Sequence, residues 1–144
     1  MIIDDLEITG ALQIFLNNEI VHQCDNLVVT AGKNWVAGRF KDGSIPDEMS
    51  HMAIGSADTA AAAGNTALAT ELNRIVLTTD GGTVSTNTVQ YDATWSDSSP
   101  AYAIKEAGIF NAASGGIMLA RTVFAIINKG TDDTVSISWT ITVS

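Results

Sequence analysis

A chain of 144 residues has the length of one ordinary domain and can bury roughly two-thirds of the surface its unfolded form would expose. Sixteen acidic against seven basic residues give a net charge of -9, and the cations (Lys33, Arg39, Lys41, Arg74, Lys105, Arg121, Lys129) are scattered, so direct binding of nucleic acid is disfavoured. Only 16% of residues are charged and 46% are hydrophobic, against about 25% charged in an average soluble domain, so part of the uncharged surface is expected to be covered by a partner.

The first ten residues, MIIDDLEITG, carry acids where a signal peptide needs basic residues, and no apolar run approaches the ~18 residues of a membrane span. The expectation is an intracellular product, neither secreted nor inserted in a membrane. Residues 1–8 read as an extended N-terminal arm, with Met1, Ile2 and Ile3 as candidate partner contacts by strand addition. ALQIFLNNEIVHQ predicts two strands around Asn17-Asn18, because Asn tolerates the left-handed angles of a tight hairpin turn. Cys24 has no partner for an internal disulfide and no CxxC neighbour, so it is expected to be a buried structural thiol.

In NLVVTAGKNWVAGRFKDG, Thr30 is placed to cap a short helix carrying Trp35, Val36 and Phe40, with Gly43 as its stop. Gly32 and Gly38 weaken that helix. HMAIGS and NRIVLTT are short strand candidates. Between them, GSADTAAAAGN predicts a loop whose small residues Ala60, Ala61 and Ala62 could let another backbone approach, and TALATEL predicts one helical turn. TVQYDATW sets Val89, Tyr91, Ala93 and Trp95 on one strand face. Ile104 to Phe110 and Ile117 to Phe124 form a late hairpin over Ser114, Gly115 and Gly116, with Glu106 and Arg121 facing each other within about a residue of register as a cross-strand ion pair. At the end, Val135, Ile137, Trp139, Ile141 and Val143 alternate with Ser136, Ser138, Thr140 and Thr142, a strand with one core face and one hydroxyl face.

Eight or nine short strands with one short helix after the first hairpin imply a mainly β chain: a single antiparallel β-sandwich over residues 1–144. The pattern fits a jelly-roll-like topology and an immunoglobulin-like one equally. Trp35, Trp95, Phe124, Val135, Ile137, Trp139 and Ile141 are its expected structural core.

No catalytic residue, metal ligand or cofactor is expected, and the chain does not read as an enzyme. His22 and His51 are far apart, no Ser sits in a GxSxG elbow, and no calcium loop or P-loop occurs. Asp4, Asp5, Glu7, Asp132 and Asp133 read as solvated surface, and DGG at 80–82 as a turn.

The order of NLVVTAGKNWVAGRF, then HMAIGSADTAAAAGNTALATELNRI, then KEAGIFNAASGGIMLARTVF and a final SISWTITVS resembles small virion proteins of tailed bacteriophages over residues 26–144. MAIGS followed by TALATELNR, and EAGIF followed by MLARTVF, carry the likeness. The resemblance implies a structural, multi-copy, non-enzymatic role on the virion, made in the host cytoplasm. A capsid decoration or cement protein on the capsid exterior is the favoured placement, with the major capsid protein and neighbouring copies of itself as partners in a homo-oligomeric assembly. The alternative is a tail-fibre, collar or baseplate component with adhesive or receptor binding. A rival from another class is a carbohydrate-binding module, with Tyr102 near Pro100 as the stacking aromatic.

Overall fold

The computed structural model describes residues 5–41 and 47–144. Alternating sequence becomes paired strand throughout them. The first hairpin joins β1 (Ile8–Leu16) to β2 (Glu19–Asp25) through Asn17 and Asn18, whose φ angles of 51° and 68° are the left-handed values that a two-residue turn demands. A two-residue strand, β3 (Leu27–Val28), leads into helix α1 (Thr30–Gly38). β4 (His51–Gly55), β5 (Glu71–Val76), β6 (Thr83–Ser85), β7 (Thr88–Trp95), β8 (Tyr102–Phe110), β9 (Met118–Lys129) and β10 (Val135–Val143) complete the order. The two shortest strands, β3 and β6, hold too few residues to show a period in the sequence.

Two five-stranded antiparallel sheets face each other, in the orders β2-β1-β10-β7-β6 and β3-β9-β8-β4-β5. The long-range pairs are nested: β1 with β10, β3 with β9, β4 with β8. That nesting is the jelly-roll feature of the sandwich, although β8 and β9 form a hairpin within one sheet. Inward side chains of both sheets fill a single core. Leu12, Ile14, Tyr91, Ala93, Trp95, Val135, Ile137, Trp139 and Ile141 come from the first sheet, and Met52, Ile54, Ile104, Ile109, Leu119, Phe124 and Ile127 from the second.

The second sheet is buried on its other face as well. Val29 and Leu68 pack there on Ala53, Phe110 and Met118, with Ala31 against them, so α1 and the segment before β5 form a third, partial layer. This explains why β8 and β9 read as nearly continuous apolar runs rather than clean alternation. Gly32 permits the contact: a Cβ there would overlap the Leu119 carbonyl, so the residue that weakens the helix lets it lie on β9.

Four expectations need correction. The cap of α1 is Val29, in extended conformation and without a side-chain bond, and Thr30 is the first helical residue; its N–H donates to Ala63 O (2.8 Å). Phe40 follows the helix and is 83% exposed, and Gly43, the expected stop, lies outside the described residues. TALATEL forms no helical turn: residues 66–70 are irregular with bends and Glu71 and Leu72 open β5, because a distant carboxylate captures the backbone donors of Ala69 and Thr70, as set out below. The arm cannot reach residue 8: Ile8 opens β1, and Glu7 exchanges backbone hydrogen bonds with Ser144 (2.8 and 2.9 Å).

Candidate functional site

Three features stand out from a plain sandwich. The first is a buried ion pair. Arg121 and Glu106 are 1% and 0% exposed, and Arg121 donates through Nε (3.0 Å) and Nη2 (2.8 Å) to Glu106 Oε2. The pair exists, but not in the expected register: Glu106 lies opposite Val123 and Arg121 opposite Gly108, so the two are diagonal neighbours two residues apart. Long side chains span that diagonal, and Gly55 on the neighbouring β4 leaves room for the carboxylate, since a Cβ there would overlap Glu106 Oε1. Arg121 also donates to Thr59 O (2.9 Å) and Asn65 Oδ1 (3.0 Å), while Glu106 accepts the N–H groups of Thr70 (2.7 Å), Ala69 (3.0 Å) and Ala57 (3.4 Å). The pair is therefore a clasp that fastens residues 57–70 onto the sheet. Burial alone would raise the Glu106 pKa, but the Thr70 amide, the Arg121 guanidinium and the Ala69 amide together outweigh it and hold the carboxyl below its ordinary range.

Lys129 is buried in a comparable way, its ammonium donating to the carbonyls of Ser99 (3.3 Å), Pro100 (3.4 Å) and Gly130 (3.1 Å). With Arg121 and Lys129 inside, the surface is more acidic than the composition implies. Asp133, read from sequence as solvated surface, lies at the surface and also ties the β9–β10 turn to the first hairpin: it accepts from Asn17 Nδ2 (2.9 Å) and Gly130 N (2.8 Å), and these bonds lower its pKa.

The second feature is a trough on the outer face of the first sheet. Across it, Gln23, Gln13, Ser138 and Asp92 stand in one rung, and Asp25, Ala11, Thr140 and Gln90 in the next. Ala11 on β1 and Ser138 and Thr140 on β10 are short and make the floor; Gln13 on β1 and the longer residues of β2 and β7 border it. The resulting groove of about 550 Å³ is lined by Ala11, Gln13, Gln23, Asp25, Gln90, Ser138 and Thr140. It continues into a second of about 440 Å³ that shares Ala11, Asp25 and Thr140 and runs past Thr142 to Lys33.

The third feature is the sheet margins. Ile20 and Val21 on β2, Leu72 and Val76 on β5, and Val84 on β6 are exposed, and each of these strands is the outermost of its sheet.

Of the residues expected in the core, Trp95, Phe124, Val135, Ile137, Trp139 and Ile141 are buried there. Trp35 is not: it is half-buried at the core's margin, its Nε1 donating to Asp47 O (2.9 Å), because α1 lies on the outside of the second sheet. Met1, Ile2 and Ile3 lie outside the described residues, as does Asp4. Ala60 and Ala62 are exposed and Ala61 half-buried, on a loop that the clasp pins down. Tyr102 is half-buried against the core rather than presented as a stacking platform.

Cys24 is half-buried, its Sγ 3.5 Å from Thr122 Oγ1, and burial pushes the thiol pKa up. His22 lies against Phe124, ring centroids 5.5 Å apart, and His51 Nδ1 is 2.8 Å from Ser50 Oγ. Among the described residues no group of three or more His, Cys, Asp or Glu is gathered closely enough to hold a metal ion.

The trough was missed by sequence reasoning. The alternation of β10 marks its hydroxyl floor, but the walls come from strands distant in sequence. No family model, curated protein or solved structure matches the chain.

Proposed function

We propose that the chain is a non-enzymatic structural protein of a tailed-phage virion, a decoration or cement protein that attaches in many copies to a capsid and bridges its subunits. The observation that carries this reading is the placement of exposed apolar side chains on the outermost strands: Ile20, Val21, Leu72, Val76 and Val84. An outermost strand offers unpaired backbone donors and acceptors beside those side chains, so a neighbouring chain can add a strand and bury them in one step. Each such contact is small, and a cement role needs only modest affinity per copy, since repeated attachment multiplies it. The sequence resemblance to small virion proteins and the acidic exterior, which keeps free copies soluble and away from packaged DNA, support the same reading.

Quantitative mass spectrometry on separated heads and tails of the phage whose genome carries this gene tests the proposal. Hundreds of copies on heads are expected. A few tens or fewer on tails would shift the same fold to a fibre, collar or baseplate, and absence from both would overturn the virion reading.

A further inference from the structure

We propose that the trough on the outer face of the first sheet binds an extended, uncharged oligosaccharide lying parallel to β1 and β10, held by Gln13, Gln23, Asp25, Gln90, Ser138 and Thr140. This goes beyond a cement role and stands on a different surface from β5 and the clasp.

The first support is an asymmetry between the sheets. The outer face of the second sheet is covered by the chain's own helix and loop; that of the first is left open by the described residues and holds two confluent grooves of about 550 and 440 Å³. Four neighbouring strands at the usual spacing of about 4.8 Å make a recess roughly 14 Å across between its outermost strands.

The second support is the chemistry of the lining. Gln13, Gln23 and Gln90 each offer a donor and an acceptor, Ser138 and Thr140 offer hydroxyls that do both, and Asp25 accepts only. The side chains of Gln13, Gln23, Asp25, Ser138 and Thr140 spend none of this capacity on another described residue. Gln90 is already oriented, its Nε2 donating to both oxygens of Asp92 (3.1 and 3.0 Å), which leaves its amide oxygen to face a ligand. A ligand that both donates and accepts along its whole length, through hydroxyls, is the complement of such a lining. Ala11 and the methyl of Thr140 give the apolar floor against which the C–H face of a sugar ring can lie.

Charge removes the competitors. Asp25 lines the trough and Asp92 stands beside it on β7, opposite Ser138, while Lys33 at the far end is the one cation among the lining residues described, so a polyphosphate or an acidic glycan meets net repulsion. A peptide strand cannot augment the sheet here, because β1 and β10 are interior strands paired on both sides. An amphipathic helix needs an apolar groove, which this is not.

The test uses the full chain, isotopically labelled, titrated with cellohexaose, maltohexaose, xylohexaose and chitohexaose, with hexagalacturonate as the anionic comparison. Without an aromatic platform a Kd on the order of 1 mM is expected, so titration runs to about 10 mM. At least one neutral hexaose should give saturable amide shifts confined to residues 9–13, 23–26, 88–92 and 138–142. Gln13→Ala with Gln23→Ala should weaken binding about tenfold, two neutral hydrogen bonds' worth, at an unchanged melting temperature. Ser138→Lys, which fills the floor, should abolish it. Saturable shifts elsewhere, a preference for hexagalacturonate, unchanged affinity in these variants, or no saturation by any of the four neutral hexaoses would overturn the proposal.

Discussion

Replacing Arg121 by Ala probes the clasp directly. The side chain is 1% exposed and makes four hydrogen bonds: two to Glu106, one to Thr59 O and one to Asn65 Oδ1. Truncation leaves a buried carboxylate with only the amides of Thr70, Ala69 and Ala57 to answer it. Breaking a buried pair from one side costs about 3–5 kcal/mol, mostly because the remaining charge is uncompensated. At roughly 3–4 °C per kcal/mol for a chain this long, the melting temperature should fall by about 10–20 °C. Urea denaturation at neutral pH measures the loss, and proteolysis within residues 57–65 should quicken as the loop loses two anchors. Glu106→Gln adds a pH signature. A carboxylate held low in the fold contributes stability above its unfolded value of about 4.3, and that contribution disappears as pH falls through the lower folded value. The acid limb of the stability profile should therefore flatten in Glu106→Gln. A loss below about 0.5 kcal/mol for Arg121→Ala, the range of an ordinary surface substitution, would refute the clasp as a stabilising device.

Three further outcomes follow from single positions. Gly10→Ala should destabilise by about 1–3 kcal/mol, because the added Cβ overlaps the Asn26 amide oxygen and sits 2.7 Å from Ile141 Cδ1, disrupting the Trp139 Nε1 to Asn26 Oδ1 bond (2.7 Å); thermal melting and tryptophan fluorescence read it. Tyr91 is 4% exposed and burial pushes its pKa up to about 12, so the neutral phenol is the folded form, and stability should decline from pH ~10 to ~12 as only the unfolded chain ionises; Tyr91→Phe should remove that decline in an alkaline denaturation series. Thr86 is β-branched yet has φ of 50° in the β6–β7 turn, so Thr86→Asn should raise stability by about 0.5–1 kcal/mol in urea titration.

Sequence period gives the strands but not their neighbours. β10 was legible residue by residue, since its one face meets the core and the other solvent, and Asn17-Asn18 announced the first hairpin. TALATEL was not legible, because its local preference loses to a tertiary bond: Ala69 and Thr70 donate to a carboxylate 37 and 36 residues away. The Glu106–Arg121 pair was foreseeable as two charges in an apolar hairpin, whereas its diagonal register depends on irregularities in the β8–β9 ladder, between Ile104 and Glu106 and between Ile109 and Phe110. Trp35 shows the limit of composition: a large aromatic on a short helix implies a core, but that helix lies outside the second sheet. The trough needs the order β2-β1-β10-β7, which brings residues 13, 23, 90 and 138 together and has no local signal.

The same strand order decides whether attachment and sugar binding can coexist. Gln23 and Asp25 belong to β2, so a partner added along β2 would stand beside the trough wall and compete with a ligand. β5 is the margin of the opposite sheet, and its exposed Leu72 and Val76 flank no part of the trough. A protein that cements through β5 presents its polar trough freely; one that cements through β2 closes it. Exposed Lys on an outermost strand discourages strand addition, so Val76→Lys and Val21→Lys separate the two. If β5 is the attachment margin, Val76→Lys should lower particle occupancy at least tenfold while leaving hexaose affinity unchanged, and Val21→Lys should leave occupancy intact. Equal occupancy for Val76→Lys and the unaltered chain would exclude β5, and full occupancy for both variants would refute attachment through these two strands.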